Sequence, residues 1–305
     1  INFISLQHTS TLASGLLIFI SMLAYVLLRS LVFILSILPA SLGNFLGACL
    51  GSTGYFFMGT KRAQIRQNYR LAGFSASQAW LLALRSLANY GRVLVEFLRL
   101  ESMDLAKIRA WKIENEALVH ELFKDRQGVV IVTFHIGNWD LAGCVLAAHG
   151  LPTVAIADAI GNQRINRWVI KVREKMGYMI LSSQLRHDRV TQLLSQGYGV
   201  AFLVDRPLSH GGIEVSFFGG KVRLPRGAFH YARQSQARML VGYTLRLGTG
   251  CFQPTAVCEI PVRRTHDPDS DLKLMAEDVM RVYEAAIRSV PQQWHMFRPF
   301  GVAAL

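Results

Sequence analysis

The first sixty residues of the chain are almost continuously apolar. Arg29 is the only Lys, Arg, Asp or Glu within residues 1–60. Residues 11–28 contain no charge, and the apolar run resumes at 31–38. At about 1.5 Å per residue, a helix over 15–39 would be long enough to cross a hydrocarbon core of roughly 30 Å. The pattern predicts an N-terminal hydrophobic, membrane-associated helical segment, either a single spanning anchor or a helix lying in one leaflet.

From residue 61 onward, short apolar runs alternate with amphipathic stretches. Helical spacing predicts helices at 61–100, 116–124, 138–149, 163–176, 188–195, 227–236 and 271–289. Apolar runs predict strands at 129–134, 152–157, 178–181, 200–204, 239–246 and 255–261. Alternation of this kind is typical of an α/β fold with a mostly parallel central sheet flanked by helices. We therefore expect two parts, a membrane anchor at 1–60 and one α/β domain at 61–305.

The charge balance narrows the partners that this domain could have. The 305 residues include 33 Lys and Arg against 20 Asp and Glu, so the formal net charge is +13, and the mean hydropathy is +0.27. A hydrophobic content of 51% excludes an intrinsically disordered chain. Such a basic excess can indicate nucleic-acid binding, but no DNA- or RNA-binding motif is present. Next to an apolar anchor, the excess favours a membrane surface with anionic lipids.

Several signatures of known chemistry are missing from the sequence. It contains no P-loop, no glycine-rich dinucleotide turn, no G-x-S-x-G nucleophile elbow and no H-E-x-x-H motif. The cysteines lack the spacing of metal ligands and predict free thiols; they are Cys49, Cys144, Cys251 and Cys258. The sequence therefore offers no metal site.

One histidine is predicted to lie at the carboxyl end of a parallel strand, where such sheets bind their ligands. The spacing of a His followed five residues later by an Asp occurs three times, at His120/Asp125, His266/Asp271 and His135/Asp140. Only His135 directly follows a buried strand, and ligands of open parallel sheets bind at the carboxyl ends of strands. Asp140 could fold back from the next helix and orient the imidazole, which would then deprotonate a hydroxyl. Alternatively, Asn138 or Asp140 only caps that helix.

Further candidates follow other predicted strands. Asp205 comes after the strand at 200–204 and could support His135 or orient an acceptor. Arg206 could bind a phosphate, or the two residues could form a surface ion pair at a loop mouth. Phe217 and Phe218 could wall an acyl groove or simply pack in the core.

The predicted helix at 164–175 is basic and amphipathic. Its cationic side chains share one face at helical spacing and comprise Arg164, Arg167, Lys171 and Lys175. This face could meet anionic lipid headgroups or a phosphorylated donor, or it could be an ordinary solvated surface.

These motifs together resemble a known family. The sequence HIGNWD at 135–140, preceded by VVIVTF, resembles the H-x-x-x-x-D motif of glycerolipid-type acyltransferases. In its fuller form it is similar to the lipid A late acyltransferases and the phosphatidylinositol-mannoside acyltransferases. Three further segments resemble other blocks of that family, namely REKMG at 173–177, VDRPLSHGGIEVSFFGGKVRLPRGA at 204–228 and PQQWHMFRPF at 291–300. The resemblance covers roughly 61–300. Within the last segment, the W-H-M triplet at 294–296 favours the phosphatidylinositol-mannoside branch.

The resemblance implies a set of site residues. His135 would be the general base, Asp140 would orient it, and Asp205 matches an acidic residue that is Glu in the mannoside branch. Substrate-binding roles would fall to Asn138, Trp139, Arg164, Arg173, Arg206, Phe217, Phe218, Arg223 and His295.

The resemblance also implies an activity. We expect a membrane-associated O-acyltransferase that moves a fatty acyl chain from acyl-CoA or acyl-carrier-protein to a hydroxyl of a glycolipid or phosphoglycolipid. The thioester is a cosubstrate, no cofactor is implied, and the catalytic domain would lie on the cytoplasmic face of the inner membrane. A thioesterase-like lipid hydrolase and a non-catalytic lipid-binding membrane protein are the alternatives.

Overall fold

The computed structural model describes residues 3–184 and 187–300. The helices are α1 Phe3–Ile37, α2 Ala40–Phe57, α3 Gly59–Leu71, α4 Ala76–Leu98, α5 Leu105–Arg109, α6 Glu116–Phe123, α7 Trp139–Ala148, α8 Gln163–Lys175, α9 His187–Ser195, α10 Gly227–Ser235 and α11 Pro268–Ser289. The strands are β1 Val129–Thr133, β2 Thr153–Ala157, β3 Met179–Ser182, β4 Gly199–Leu203, β5 Ile213–Phe217, β6 Gly220–Leu224, β7 Arg238–Gly248 and β8 Cys251–Ile260.

Six of these strands form one sheet, in the order β3-β2-β4-β1-β7-β8. Every neighbouring pair is parallel except β7 with β8, which is antiparallel. The predicted α/β fold with a mostly parallel central sheet is therefore confirmed. The two remaining strands, β5 and β6, form an antiparallel hairpin that the sequence analysis did not predict.

Helices cover both faces of the sheet. On β1, Val130 and Val132 pack into the core beneath α10 and α11, whereas Val129 and Ile131 pack into the core beneath α7 and α8. Because both faces are covered, every residue of β1 is buried. This double burial explains why the strand is a continuous apolar run rather than an alternating one.

The N-terminal helix carries a long apolar surface. Its part from Leu17 to Ile37 is long and apolar enough to cross a membrane, judged by length and composition alone. Leu17 and Phe33 are each about two-thirds exposed. Arg29 is paired with Glu101 of the α/β domain, so the one charge of this segment has a partner.

The second helix, α2, packs closely along α4. A Cβ atom built on Gly47 would lie 2.6 Å from the carbonyl oxygen of Gly91, and one built on Gly91 would lie 2.0 Å from that of Gly47. Both distances are far below van der Waals contact, so the two backbones meet only because neither residue has a side chain. The glycines at 43, 47 and 51 therefore serve packing within the chain.

We expect Gly91→Ala to separate α2 from α4. The added methyl group cannot fit against the Gly47 carbonyl, and overpacking of this kind costs about 1–3 kcal/mol of unfolding free energy. Chemical unfolding in detergent measures the loss. Gly59→Ala is the matched control, since nothing lies within 4 Å of its Cβ position. Equal stability of the two variants would contradict this packing.

Candidate active site

Strand pairing brings His135 and Asp205 together. In the parallel pair β1 and β4, Thr133 lies opposite Leu203, and each strand is followed two residues later by one of the two polar residues. The Asp205 carboxylate accepts from His135 Nδ1 at 2.7 Å and from the His135 backbone N–H at 2.8 Å. Both side chains are buried. The expected support of His135 by Asp205 is therefore present as a direct contact.

A third residue completes this pair from the last helix. The Tyr283 hydroxyl donates to Asp205 at 2.7 Å, and Trp294 Nε1 donates to the Tyr283 oxygen at 2.6 Å. Burial raises the pKa of Tyr283 well above its ordinary value, and the adjacent carboxylate raises it further. The phenol therefore stays protonated and keeps donating.

Asp205 itself is held in its charged form. Burial alone would raise its pKa, but His135 and the hydrogen bond from Tyr283 outweigh burial, so the pKa lies below its usual value. With Nδ1 taken by this carboxylate, Nε2 is the imidazole nitrogen that a substrate can use.

The predicted orientation of His135 by Asp140 is wrong. Asp140 lies in the first turn of α7, and its carboxylate accepts from Arg173 at 2.8 Å and from the Tyr178 hydroxyl at 3.3 Å. These donors come from α8 and from the residue just before β3. Asp140 therefore ties α7 to α8, and Arg173, expected to hold phosphate, is engaged in this ion pair.

We expect Asp140→Ala to act first on stability. It would leave the guanidinium of Arg173 without its buried partner, which costs about 3–5 kcal/mol of unfolding free energy. The double variant Asp140→Ala/Arg173→Met should recover part of that loss, since no uncompensated charge remains. Unfolding curves of the two single variants and the double variant measure the coupling. Strictly additive losses would contradict the pairing.

Asn138 is not open to substrate, contrary to expectation. It is fully buried; its side-chain oxygen caps α7 through the Leu141 N–H, and its Nδ2 donates to Glu96 at 3.0 Å. Glu96 also accepts from Arg246 at 2.7 Å and from Asn44 of α2 at 3.3 Å. Burial raises the pKa of Glu96, and these partners partly offset the rise. The network fixes the turn between His135 and α7.

The C-terminal segment braces the same turn. Gly137 donates its N–H to the carbonyl of Gln293 at 3.0 Å, and the N–H of His295 donates to the carbonyl of His135 at 2.8 Å. Gly137 has a φ of 61°, and a Cβ there would lie 2.0 Å from the Thr244 carbonyl oxygen. Only glycine fits this position, which explains its place in the HIGNWD motif.

Aromatic rings pack beside His135. The ring of Trp139 lies 4.8 Å from that of His135, and it also neighbours Tyr90 and His295. Burial lowers the pKa of His295 to about 3, and the adjacent His135 contributes. His295 therefore stays neutral at physiological pH and offers no cation to a phosphate.

An apolar cavity of about 110 Å³ lies between α7 and the sheet. Ile131, Ala155, Ala201 and Leu240 line it from four neighbouring strands, and Trp139 lines it beside His135. The small side chains on β2 and β4 leave the space that larger ones would fill. Its lining and position suit a hydrocarbon chain whose polar end lies near His135.

Several predicted substrate residues lie elsewhere. Phe217 is 4% exposed and packs with Tyr283 and Phe300 in the core on the opposite face of the sheet. Phe218 packs against that same core with Arg288 over its ring. Of the two alternatives for these phenylalanines, the structure shows core packing and not an acyl-groove wall, because the hairpin turns them away from the cavity.

The basic candidates sit at the periphery. Arg223 pairs across the hairpin with Glu214 at 3.5 Å, and exposed Arg206 pairs with Asp158 at 3.5 Å. Arg164 lies at the start of α8, half-buried. None of the three contacts His135 among the described residues, so their substrate roles stay predictions.

Two participants were missed by the sequence analysis, namely Tyr283 and Glu96. Tyr283 lies on the apolar face of α11 and Glu96 near the end of α4. A glutamate among apolar helix positions was the one available signal, because buried carboxylates are almost always paired. Tyr283 gave no local signal.

The geometry supports one kind of chemistry. A hydroxyl near Nε2 could lose its proton to His135 while Asp205 stabilises the imidazolium that forms. The oxygen could then attack a carbonyl whose apolar tail occupies the cavity.

Comparison with known proteins also indicates acyl transfer. The family model described as bacterial lipid A biosynthesis acyltransferase matches residues 14–300. The chain is similar to a phosphatidylinositol mannoside acyltransferase of Mycolicibacterium smegmatis, at 26% identity over 227 residues, which cover 72% of each chain. It is also similar to the enzyme of that name from Mycobacterium tuberculosis H37Rv, at 26% identity over 249 residues, covering 73% of this chain and 71% of the relative. The chain belongs to the bacterial lipid A biosynthesis acyltransferase family, and it is an acyltransferase.

Proposed function

We propose that this chain transfers a fatty acyl group from an acyl thioester, acyl-CoA or acyl-carrier-protein, to a hydroxyl of a glycolipid at a membrane surface. The observation that carries the proposal is the buried His135–Asp205 pair beside an apolar cavity. His135 Nε2 takes the proton of the acceptor hydroxyl. The acceptor oxygen attacks the thioester carbonyl carbon, and the thiolate leaves with that proton.

The acyl tail occupies the cavity beneath α7. Strands β1, β2, β4, β7 and β8 supply most of its lining together with α7, and Thr133, Asp140, Arg173 and Thr244 are among its few polar residues. An apolar pocket with a few convergent polar groups is the usual form of a small-molecule site. The proposed chemistry moves one acyl group and one proton and assigns no step to a metal or prosthetic group.

The acceptor class comes from the relatives. Phosphatidylinositol mannosides, after which both relatives are named, are phosphoglycolipids, and lipid A, after which the family is named, is also a phosphoglycolipid. We extend that class to this chain. Arg206, which follows Asp205 in the chain and is exposed, is the cation that we assign to a headgroup phosphate.

Surface chemistry supports a membrane location. On α2, Phe45 and Phe57 are 62% and 83% exposed, and α1 adds the long apolar surface described above. Arg167 and Lys171 are exposed on α8, which contacts α1 through a hydrogen bond from Asn162 to the Ser21 carbonyl. Apolar and cationic surfaces side by side suit a bilayer with anionic lipids. We place the catalytic domain on the cytoplasmic face of the inner membrane, where acyl thioesters are made.

The test is an acyl-transfer assay with purified protein in vesicles. Labelled acyl-CoA and acyl-carrier-protein are each supplied with and without a phosphatidylinositol mannoside or a lipid A precursor. We expect acylated glycolipid to form only when donor and acceptor are both present.

The other outcomes separate the alternatives. Free fatty acid released at the same rate without an acceptor would indicate the thioesterase-like hydrolase. Lipid binding without turnover of either donor would indicate a non-catalytic membrane protein. Either result would overturn the proposal.

A further inference from the structure

Two buried hydroxyl groups near His135 have no hydrogen-bond partner. Thr133 is 9% exposed and Thr244 is fully buried, and neither Oγ1 atom bonds to any group among the described residues. A buried hydroxyl without a partner loses its hydrogen bonds to water and gains none in exchange. Because such groups are rare, each one calls for a physical explanation.

Both threonines are among the residues that line the apolar cavity. Thr133 and Thr244 line it, as do Ile131 and Leu240 earlier on the same strands. Side chains two residues apart on a strand share a face, so the two threonines point to the cavity side of the sheet. They are the last residues that their strands contribute to the lining, at the carboxyl edge of β1 and beside the motif turn.

The two threonines flank the turn that holds His135. Thr133 precedes His135 by two residues. The Thr244 carbonyl accepts from the Asn138 N–H at 2.9 Å and closes against Gly137. The hydrogen bonds among Glu96, Asn138 and Arg246 hold the backbone of the turn after His135 and the backbone of β7 next to Thr244.

We propose that the Thr133 and Thr244 hydroxyls bind the carbonyl oxygen of the acyl thioester. This assignment rests on the proposed function and adds to it the donors for the developing oxyanion. A carbonyl oxygen has two lone pairs, and these two lining threonines each carry an O–H group that has no other partner among the described residues. With its tail in the cavity and its oxygen on the threonines, the thioester presents its carbon near His135.

The reaction then balances as follows. The acceptor O–H bond breaks and its proton moves to His135 Nε2, while a bond forms between the acceptor oxygen and the carbonyl carbon. The carbonyl π pair moves onto the oxygen, where the two O–H groups stabilise its negative charge. When the electron pair on the oxygen re-forms the carbonyl double bond, the C–S bond breaks and the leaving thiolate takes the proton from His135.

The first experiment compares hydroxyl and methyl side chains at these positions. The double variant Thr133→Val/Thr244→Val should lower kcat for acyl transfer by about 10²–10³-fold, the usual loss when an oxyanion donor is removed. Its unfolding midpoint should be unchanged or higher, because the lost hydroxyls had no partner. The corresponding double serine variant keeps both hydroxyls and should recover activity to within about tenfold of the unmodified protein.

Thr265→Val is the matched control. Its hydroxyl lies far from the cavity and donates to Asp271 at 2.8 Å. Removing it should lower the unfolding midpoint and leave kcat unchanged. Loss of stability in the Thr133 and Thr244 variants, or kcat within twofold of the unmodified protein, would overturn the proposal.

The second experiment does not need turnover. Palmitoyl-CoA with ¹³C at the carbonyl is bound to the His135→Ala protein, and isotope-edited infrared spectra record its C=O stretch. We expect a shift to lower frequency that disappears when both threonines become valine. An unshifted band in the His135→Ala protein, or the same shift after the valine changes, would overturn the assignment.

The two proposals fail in different ways. A shifted band that depends on the threonines, without transfer to any glycolipid, would leave the carbonyl site standing and remove the proposed acceptor reaction. Transfer at full rate in the double valine variant would leave the proposed acyltransferase reaction standing and remove the carbonyl site on the two threonines. Failure of both palmitoyl-CoA and palmitoyl-acyl-carrier-protein to bind would remove both.

Discussion

Replacing His135 with alanine is expected to lower acyl transfer by about 10²–10⁴-fold, the range that a positioned acid–base group contributes. The protein should still fold, because the Asp205 carboxylate keeps the backbone N–H of residue 135 and the Tyr283 hydroxyl as donors. Acyl-transfer rates, with unfolding curves and vesicle binding measured in parallel, test this result.

The chain supplies its own control for this experiment. His120 has the same spacing to a following aspartate, but it lies on the exposed end of α6 and pairs with Glu116. His120→Ala should leave the rate unchanged. A His135→Ala protein that retains more than about a tenth of the activity would remove His135 from the role of base.

Asp205→Asn should produce the second large loss. Asparagine fills nearly the same space but removes the negative charge that stabilises the imidazolium. The NH₂ group it brings also faces donors, the His135 backbone N–H and the Tyr283 hydroxyl. We expect kcat/KM to fall by about 10²–10⁴-fold, with lower stability because at least one buried donor loses its acceptor.

The effect on stability depends on pH in a defined direction. The folded pKa of Asp205 lies below its ordinary value, so its contribution is fully present above the ordinary carboxyl pKa of about 4 and is lost as pH falls through the lower folded pKa. The unmodified protein should lose stability in that acid range, and Asp205→Asn should lose less there.

Asp269→Asn is the comparison for this measurement. That carboxylate is exposed and pairs with Arg226, so its removal should change stability by no more than about 0.5 kcal/mol. An equal loss of unfolding free energy at low pH in the unmodified protein and in Asp205→Asn would contradict the ionised state of Asp205 in the folded protein.

The sequence analysis located the histidine and named two aspartates beside it, of which Asp205 makes the contact and Asp140 does not. A strand, a glycine and a helix start placed His135 at the correct edge of the sheet. The spacing to Asp140 says only how far apart two residues lie along the chain, and the first turn of α7 points that carboxylate toward Arg173. Asp205 reaches His135 because β4 lies directly beside β1, and strand order is a tertiary property that no local pattern contains.

The hairpin and the threonines were hidden for other reasons. Strands β5 and β6 have five residues each and are separated only by Phe218 and Gly219, so the segment resembles a loop with exposed aromatics. Thr133 looked like any β-branched strand residue. That its hydroxyl has no hydrogen-bond partner can be recognised only when the positions of the surrounding groups are known.

The contacts of Asn44 and Gly47 with α4 have a practical meaning for anyone who wants a soluble version of this enzyme. Cutting the chain at residue 61 would remove α2, expose the glycine face of α4 and leave Glu96 without one of its donors, next to the turn that holds His135. A better route keeps α2 and replaces its exposed Phe45 and Phe57 with polar residues, because these side chains point away from the protein.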